Sequence, residues 1–206
     1  MMTPSTPEAR PRIDFDSLPD CHHMCLIYDN EAERRELVTQ YLAAGLRRGD
    51  YVRYFADTTP AEDVHAWLAE TGCQTRDTEA FGVVAARDAY CPSGRFVPQD
   101  VLANMAARYT RVKQAGYSGS RVTGEMSWAL RGLPGSERLL EYEIGINAID
   151  EPFPHGGMCQ YDARQWDGAT LFRVLQVHPF MIAHGQVVRN PFYLRPEEYL
   201  GAGRPG

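Results

Sequence analysis

Lysine is almost missing from this chain: Lys113 is the only one among 206 residues, and arginine supplies nearly all the positive charge. A fold that hydrolyses nucleotides needs glycines and a lysine after its first strand, where backbone amides and an ammonium hold the phosphates. That position reads Asp29-Asn-Glu-Ala-Glu-Arg-Arg35 and has neither, while Lys113 sits in a helical run where it cannot substitute. P-loop ATPase or kinase chemistry is therefore disfavoured. No apolar stretch approaches the length of a membrane span, and the polar, proline-rich start from Met1 to Pro11 has no apolar core of the signal-peptide kind. A cytoplasmic protein without a membrane partner is expected. The formal net charge is -6 and the arginines are scattered, so direct nucleic-acid binding is not expected either. Cys21, Cys25, Cys73, Cys91 and Cys159 are odd in number and irregular in spacing, which fits reduced thiols rather than a disulfide framework. There is no Cys-x-x-Cys or His-x-x-x-His pair; a composite site from His23, Cys159 and His178 is conceivable, but no metal, haem or other cofactor is expected. A Gly-x-Ser-x-Gly nucleophile elbow is also absent.

What is present alternates between strand-like and helix-like segments. The apolar run His23 to Asp29 predicts a buried strand, and Glu31 to Arg48 a helix in which Leu37, Val38, Tyr41, Leu42 and Leu46 recur at helical spacing. Tyr51 to Ala56 predicts the next strand, Thr59-Pro60 opens a helix, and Phe81 to Ala86 predicts a third strand followed by a loop from Asp88 to Val97. Pro98 to Gln114 predicts a helix, Ser120 to Met126 a strand, Ser136 to Ile149 a helix and Gly157 to Tyr161 a strand. Leu171 to Val177 is expected to be helical, and Met181 to Arg189 an edge hairpin around His184-Gly185. Such alternation implies an α/β fold in three layers, a mostly parallel sheet with helices on both faces. One domain from residue 15 to 200, a leader over 1–14 and a tail over 201–206 are expected.

In open α/β sheets ligands bind beyond the C-terminal strand ends. Glu125, Ser127 and Trp128 end the fourth strand, and Asp29, Asp57, Asp88 and Asp162 complete an acidic rim; Asp29, Asp57 and Asp88 also read as helix caps. On the helix from Ser136, Glu143 and Asn147 fall inside the apolar arc, one turn apart. A buried carboxylate needs a partner, and Arg121 or a strand-end hydroxyl is the expected kind; a structural Glu-Arg pair is the alternative to a ligand role. Strand alternation pairs His23 with Cys25 and Cys159 with Tyr161 on single faces. His65, His155 and His184 read as surface or loop residues. The candidate ligand-binding set is His23, Arg121, Glu125, Ser127, Trp128, Glu143, Asn147, Cys159, Tyr161 and His178, with no catalytic residue assigned.

Several short motifs agree in order and spacing with one known pattern. Arg121-Val-Thr-Gly-Glu-Met-Ser-Trp128, Tyr142-Glu143, Met158-Cys-Gln-Tyr-Asp162, His178-Pro179 and Asn190-Pro-Phe-Tyr193, with His23 opening the first strand and Gly94-Arg-Phe96 before a helix, resemble the MEDS domain. This is the DcmR-type sensory domain of methanogen and methylotroph regulators, and the resemblance runs from about Phe15 to Leu200. It implies a core related to RecA and KaiC with a degenerate P-loop, and the sensing of small hydrocarbon derivatives. Only Leu194 to Gly206 follow the last motif, so the expected signal passes to a separate protein, such as a histidine kinase or an anti-sigma regulator; a homodimer is compatible with the sequence. Two other readings stand beside the sensor. One is an enzyme with Glu125 or Glu143 as general base beside His23 or His178, and the other an interaction module using the former nucleotide crevice.

Overall fold

The computed structural model describes residues 13–76, 78–149, 154–183 and 185–201. The leader and tail assignments therefore lie almost wholly outside the described residues, as does His184. A seven-stranded sheet forms the middle layer in the order β3-β2-β4-β5-β1-β6-β7. Its strands are β1 (Cys21–Tyr28), β2 (Tyr51–Ala56), β3 (Phe81–Ala85), β4 (Ser120–Glu125), β5 (His155–Asp162), β6 (Phe180–Ala183) and β7 (Gln186–Arg189). All neighbours pair in parallel except β6 with β7, the hairpin at one edge.

The helices are α1 (Glu31–Arg48), α2 (Ala61–Glu70), α3 (Ala86–Tyr90), α4 (Pro98–Gln114), α5 (Leu139–Ile146), α6 (Gly168–Val177) and α7 (Pro196–Gly201). Period-two alternation divides the strand side chains between two cores. Met24, Leu26, Val52, Tyr54 and Met158 pack under α1 and α2. Cys25, Phe55, Cys159 and Tyr161 pack with residues of α3, α4, α5 and α6. The expected three-layer architecture is the one observed.

Local chemistry sets the boundaries. The Asn30 side chain accepts from the Glu33 amide at the start of α1, and Gly49 ends the helix at φ 84°, where a Cβ would be strained. Gly45 lets α1 lie close on the sheet, since a Cβ there would stand 2.7 Å from Arg121 Cδ. Two expectations shift. The segment expected as a loop from Asp88 begins with a helical turn, α3, because Tyr90 and Ala86 are buried against the core. The helix expected over 136–149 is a 3₁₀ turn, Ser136–Arg138, followed by an α-helix that ends at Ile146.

Candidate functional site

Two buried carboxylates organise the polar interior, on opposite faces of the sheet. Glu125 ends β4 on the α1 face and is 3% exposed. Its Oε2 accepts from the backbone amides of Asp57 at 2.8 Å and Thr58 at 2.5 Å, and from the Thr58 hydroxyl at 3.0 Å. Its Oε1 accepts from the Tyr54 hydroxyl at 2.5 Å and from the Thr59 hydroxyl, with Arg34 Nη1 at 3.5 Å. Desolvation pushes this carboxyl up, but the Thr59, Tyr54 and Thr58 donors and the Arg34 charge outweigh it and hold it below the usual carboxylate range. Arg34 reaches from the first turn of α1 across the strand ends, donating also to Tyr54 and to Gln160 Oε1, both at 2.9 Å. Next to it Ser127 donates to Asp57 Oδ2 at 2.6 Å, and Arg131 pairs with the same carboxylate at 2.9 Å. The crevice expected to hold a ligand is thus occupied by the protein's own guanidinium and by a carboxylate whose two oxygens are both engaged. Asp57 is engaged by Ser127 and Arg131, and α1 is capped by Asn30 rather than Asp29.

Glu143, fully buried on α5, belongs to the other face. Its Oε1 accepts from the Tyr161 hydroxyl at 2.5 Å. Its Oε2 lies 3.0 Å from His23 Nε2, 3.5 Å from His178 Nε2 and 3.4 Å from Cys159 Sγ. Asn147, one turn on, holds His23 Nδ1 at 3.0 Å through its Oδ1. Burial draws His23 below the ordinary imidazole range and the neighbouring His178 draws it further, against the pull of Glu143. Burial also pushes the Cys159 thiol up. His23, Glu143, Cys159 and His178 are the residues that could hold a metal ion, their donor atoms lying within 4.8 Å of one another.

Arg121 is not the partner of Glu143. Alternation turns it to the α1 face, where it pairs with Asp50 at 3.3 Å and donates to the Tyr41 carbonyl at 3.2 Å. His155, expected on the surface, opens β5 and stacks on Tyr109 with ring centres 4.7 Å apart, because the strand begins two residues before the predicted Gly157.

A cavity of about 330 Å³ lies between the sheet and helices α4 and α5. Val122, Gly124, Gly157 and Cys159 contribute from the strands, Met105, Arg108 and Tyr109 from α4, and Tyr142, Ile146 and Asn147 from the α5 end. Two glycines keep the floor low; a Cβ at Gly157 would meet only His23, at 3.7 Å. Of the candidate residues, His23, Asn147 and Cys159 line the cavity. Glu143, Tyr161 and His178 stand behind that wall, joined to it by the bonds above. Trp128 is further back, stacked on the lining Tyr90 at 4.8 Å, and Arg121, Glu125 and Ser127 belong to the other cluster.

The family described as MEDS, the methanogen/methylotroph DcmR sensory domain, matches residues 22–179. The chain belongs to the MEDS family. A curated relative, the transcriptional repressor DcmR of Methylorubrum extorquens (strain DSM 6343 / CIP 106787 / DM4), is 25% identical over 159 residues, covering 76% of this chain and 57% of that protein. The chain thus spans little more than half the length of that repressor. The fold is similar to a KaiC-like protein from Pyrococcus horikoshii OT3, with TM-score 0.52 and 14% identity over 78% of this chain and 69% of that one. It is also similar to the flagellar accessory protein FlaH from Methanocaldococcus jannaschii, with TM-score 0.54 and 9% identity over 81% and 74%. In this MEDS domain, whose fold is like that of the KaiC-like protein, Arg34 reaches over the strand ends from the helix that follows the glycine-free loop.

Sequence reasoning missed Arg34, Tyr90, Arg108 and Tyr109. Arg34 had one available signal, an arginine in the first turn of the first helix directly after the glycine-free loop; the cavity aromatics had none beyond apolar spacing.

Proposed function

We propose that this MEDS domain senses a small organic molecule of the hydrocarbon-derivative class in the cavity under α4 and α5. A sensory and regulatory role follows from the family; the ligand, its place and the receiving partner are our reading. The observation that carries it is the cavity itself. About 330 Å³ suits a small molecule, its walls are aromatic and aliphatic, and its few polar groups, His23, Asn147, Cys159 and Arg108, sit where they can fix orientation. Sensing without turnover is supported by the state of the two acids. Glu125 has no free lone-pair direction for a substrate proton, and Glu143 is sealed behind the cavity wall. We place the domain in the cytoplasm, signalling to a separate protein such as a histidine kinase or an anti-sigma regulator, alone or as a homodimer. Among the described residues no helix is long and apolar enough to cross a membrane. Helix α5 links the ligand to the rest, since Tyr142, Ile146 and Asn147 face the cavity while Glu143 ties the same helix to β1, β5 and the end of α6. A ligand shifts such an element only by binding one of its positions better than the other.

The test follows melting temperature across small alcohols, amines, halocarbons and aromatics. A ligand at a hundred times its Kd stabilises by about 2.7 kcal/mol, or about 5–10 °C for a domain of this size. Gly157→Val, which fills the floor, is expected to melt cooperatively and lose that response. An unchanged response in the filled variant overturns the placement, and no response from any class in the folded wild-type protein overturns the reading.

A further inference from the structure

We propose that His23, Glu143, Cys159 and His178 form a tetrahedral site for a divalent transition-metal ion of the zinc class. The inference is independent of the organic ligand and rests on the donor geometry alone. The four side chains come from β1, α5, β5 and the residue that ends α6, and all are buried. A tetrahedral ion with metal–nitrogen and metal–oxygen bonds of about 2.0–2.1 Å and a metal–sulfur bond of about 2.3 Å separates its donors by about 3.3–3.6 Å. Of the six separations, four are 3.0 Å for His23 with Glu143, 3.5 Å for His178 with Glu143, 3.4 Å for Cys159 with Glu143 and 3.6 Å for Cys159 with His23, and all six lie within 4.8 Å.

The hydrogen bonds behind these donors fix what each one presents. His178 Nδ1 lies 2.8 Å from the Val174 carbonyl, which can only accept, so Nδ1 carries the proton and Nε2 offers a lone pair. Asn147 Nδ2 donates to the carbonyls of Val177 at 2.7 Å and Glu143 at 3.4 Å, which turns its Oδ1 to His23 Nδ1 and gives that ring the same tautomer. Two imidazole lone pairs therefore converge on one carboxylate oxygen, and His178 Nε2, fully buried, has no hydrogen-bond partner among the described residues. An extra proton on His23 would satisfy a single contact and leave His178 orphaned. A cation satisfies all four groups. Fixing the remote nitrogen of each histidine ligand is also how protein metal sites orient their imidazoles.

Charge points the same way. A divalent ion with one carboxylate and one thiolate is neutral as a unit, which keeps the cost of burying it low. Two imidazoles, a thiolate and a carboxylate around a tetrahedron suit zinc better than magnesium or calcium, which prefer six or more oxygens. With four protein donors the shell is filled, so the ion clamps α5 and α6 to β1 and β5 and stiffens the wall that His23 and Cys159 share with the cavity.

Cobalt(II) titrated into the metal-stripped, folded full chain tests this directly. The expected result is one equivalent bound, with the intense visible bands of tetrahedral cobalt, a thiolate-to-cobalt charge-transfer band, and displacement by zinc. Cys159→Ser is expected to fold, by circular dichroism, and to lose the charge-transfer band, while Asn147→Leu weakens binding about 10–100-fold by freeing the His23 ring. A band that survives Cys159→Ser overturns the assignment, as does a folded wild-type chain that gives no tetrahedral spectrum. Should the variants fail to fold, X-ray absorption of the zinc-loaded wild type decides: one sulfur and three lighter donors are expected, and a shell without sulfur overturns the proposal.

Discussion

Glu125 and Glu143 are both buried carboxylates, yet the groups that surround them differ in kind. Around Glu125 every neighbour donates: three backbone amides, two threonine hydroxyls, a tyrosine and a guanidinium. Around Glu143 only Tyr161 and the Cys159 thiol donate, while the imidazoles of His23 and His178 turn proton-free nitrogens toward it. A carboxylate saturated with donors is finished as a structural part, because no favourable direction is left for anything else to enter. One crowded by lone pairs is incomplete. The contrast shows that the strand ends beside α1 are framework, and that the face under α5 holds the unfinished chemistry.

Replacing each acid by its amide breaks the comparison most strongly. In Glu125→Gln an NH2 group meets the amides of Asp57 and Thr58 or the Tyr54 and Thr59 hydroxyls, and we expect a loss of about 3 kcal/mol in chemical denaturation. In metal-stripped Glu143→Gln the amide oxygen still accepts from Tyr161, while the new NH2 donates to the His23 and His178 lone pairs. That variant is expected to be as stable as the wild type or more so, and to bind metal poorly. Equal destabilisation of the two variants would mean that the acids occupy equivalent settings.

Acid sharpens the same contrast. Because Glu125 ionises below its ordinary range in the folded chain, its contribution is present above the unfolded carboxyl pKa of about 4.3 and fades as pH falls toward the folded value. The stability gap between wild type and Glu125→Gln is therefore expected to hold from pH 7 to 5 and to narrow steadily below about 4.3. A gap independent of pH down to acid unfolding would show that the donors around Glu125 do not favour its charge.

Much of this arrangement can be read along the chain, and its limits have a physical origin. The alternation of strand-like and helix-like runs places β1 to β5 and their helices, since each strand is a short apolar run and each helix carries a stripe. Glu143 and Asn147 stand out because they interrupt such a stripe, and His23, Cys159 and His178 because they are the polar residues of otherwise apolar segments. Of the two partners expected for Glu143, the strand-end hydroxyl is realised in Tyr161 and Arg121 is not, because the period-two rule applied to β4 puts Arg121, Thr123 and Glu125 on the α1 face and Val122 and Gly124 on the other. What alternation cannot supply is the order of strands in the sheet. Only with β5 between β4 and β1 do Cys159 and His23 become neighbours, in register with Gly124 and Gly157. The cavity is equally hidden, because it depends on what two glycines leave unfilled.

The smallest effect tests the boundary between the two regions. Trp128 follows Glu125 in the chain but stacks on Tyr90, which lines the cavity, and its buried indole N–H has no hydrogen-bond partner among the described residues. Trp128→Phe keeps an aromatic ring against Tyr90 and Phe96, gives up some buried area, and removes an unsatisfied donor. These terms oppose one another, so the variant is expected within about 1 kcal/mol of the wild type. Its melting response to small organic ligands should persist, because the indole backs the wall without forming it. Loss of that response in a protein of undiminished stability would move the recognition site back to the strand ends and make the indole N–H a direct ligand contact.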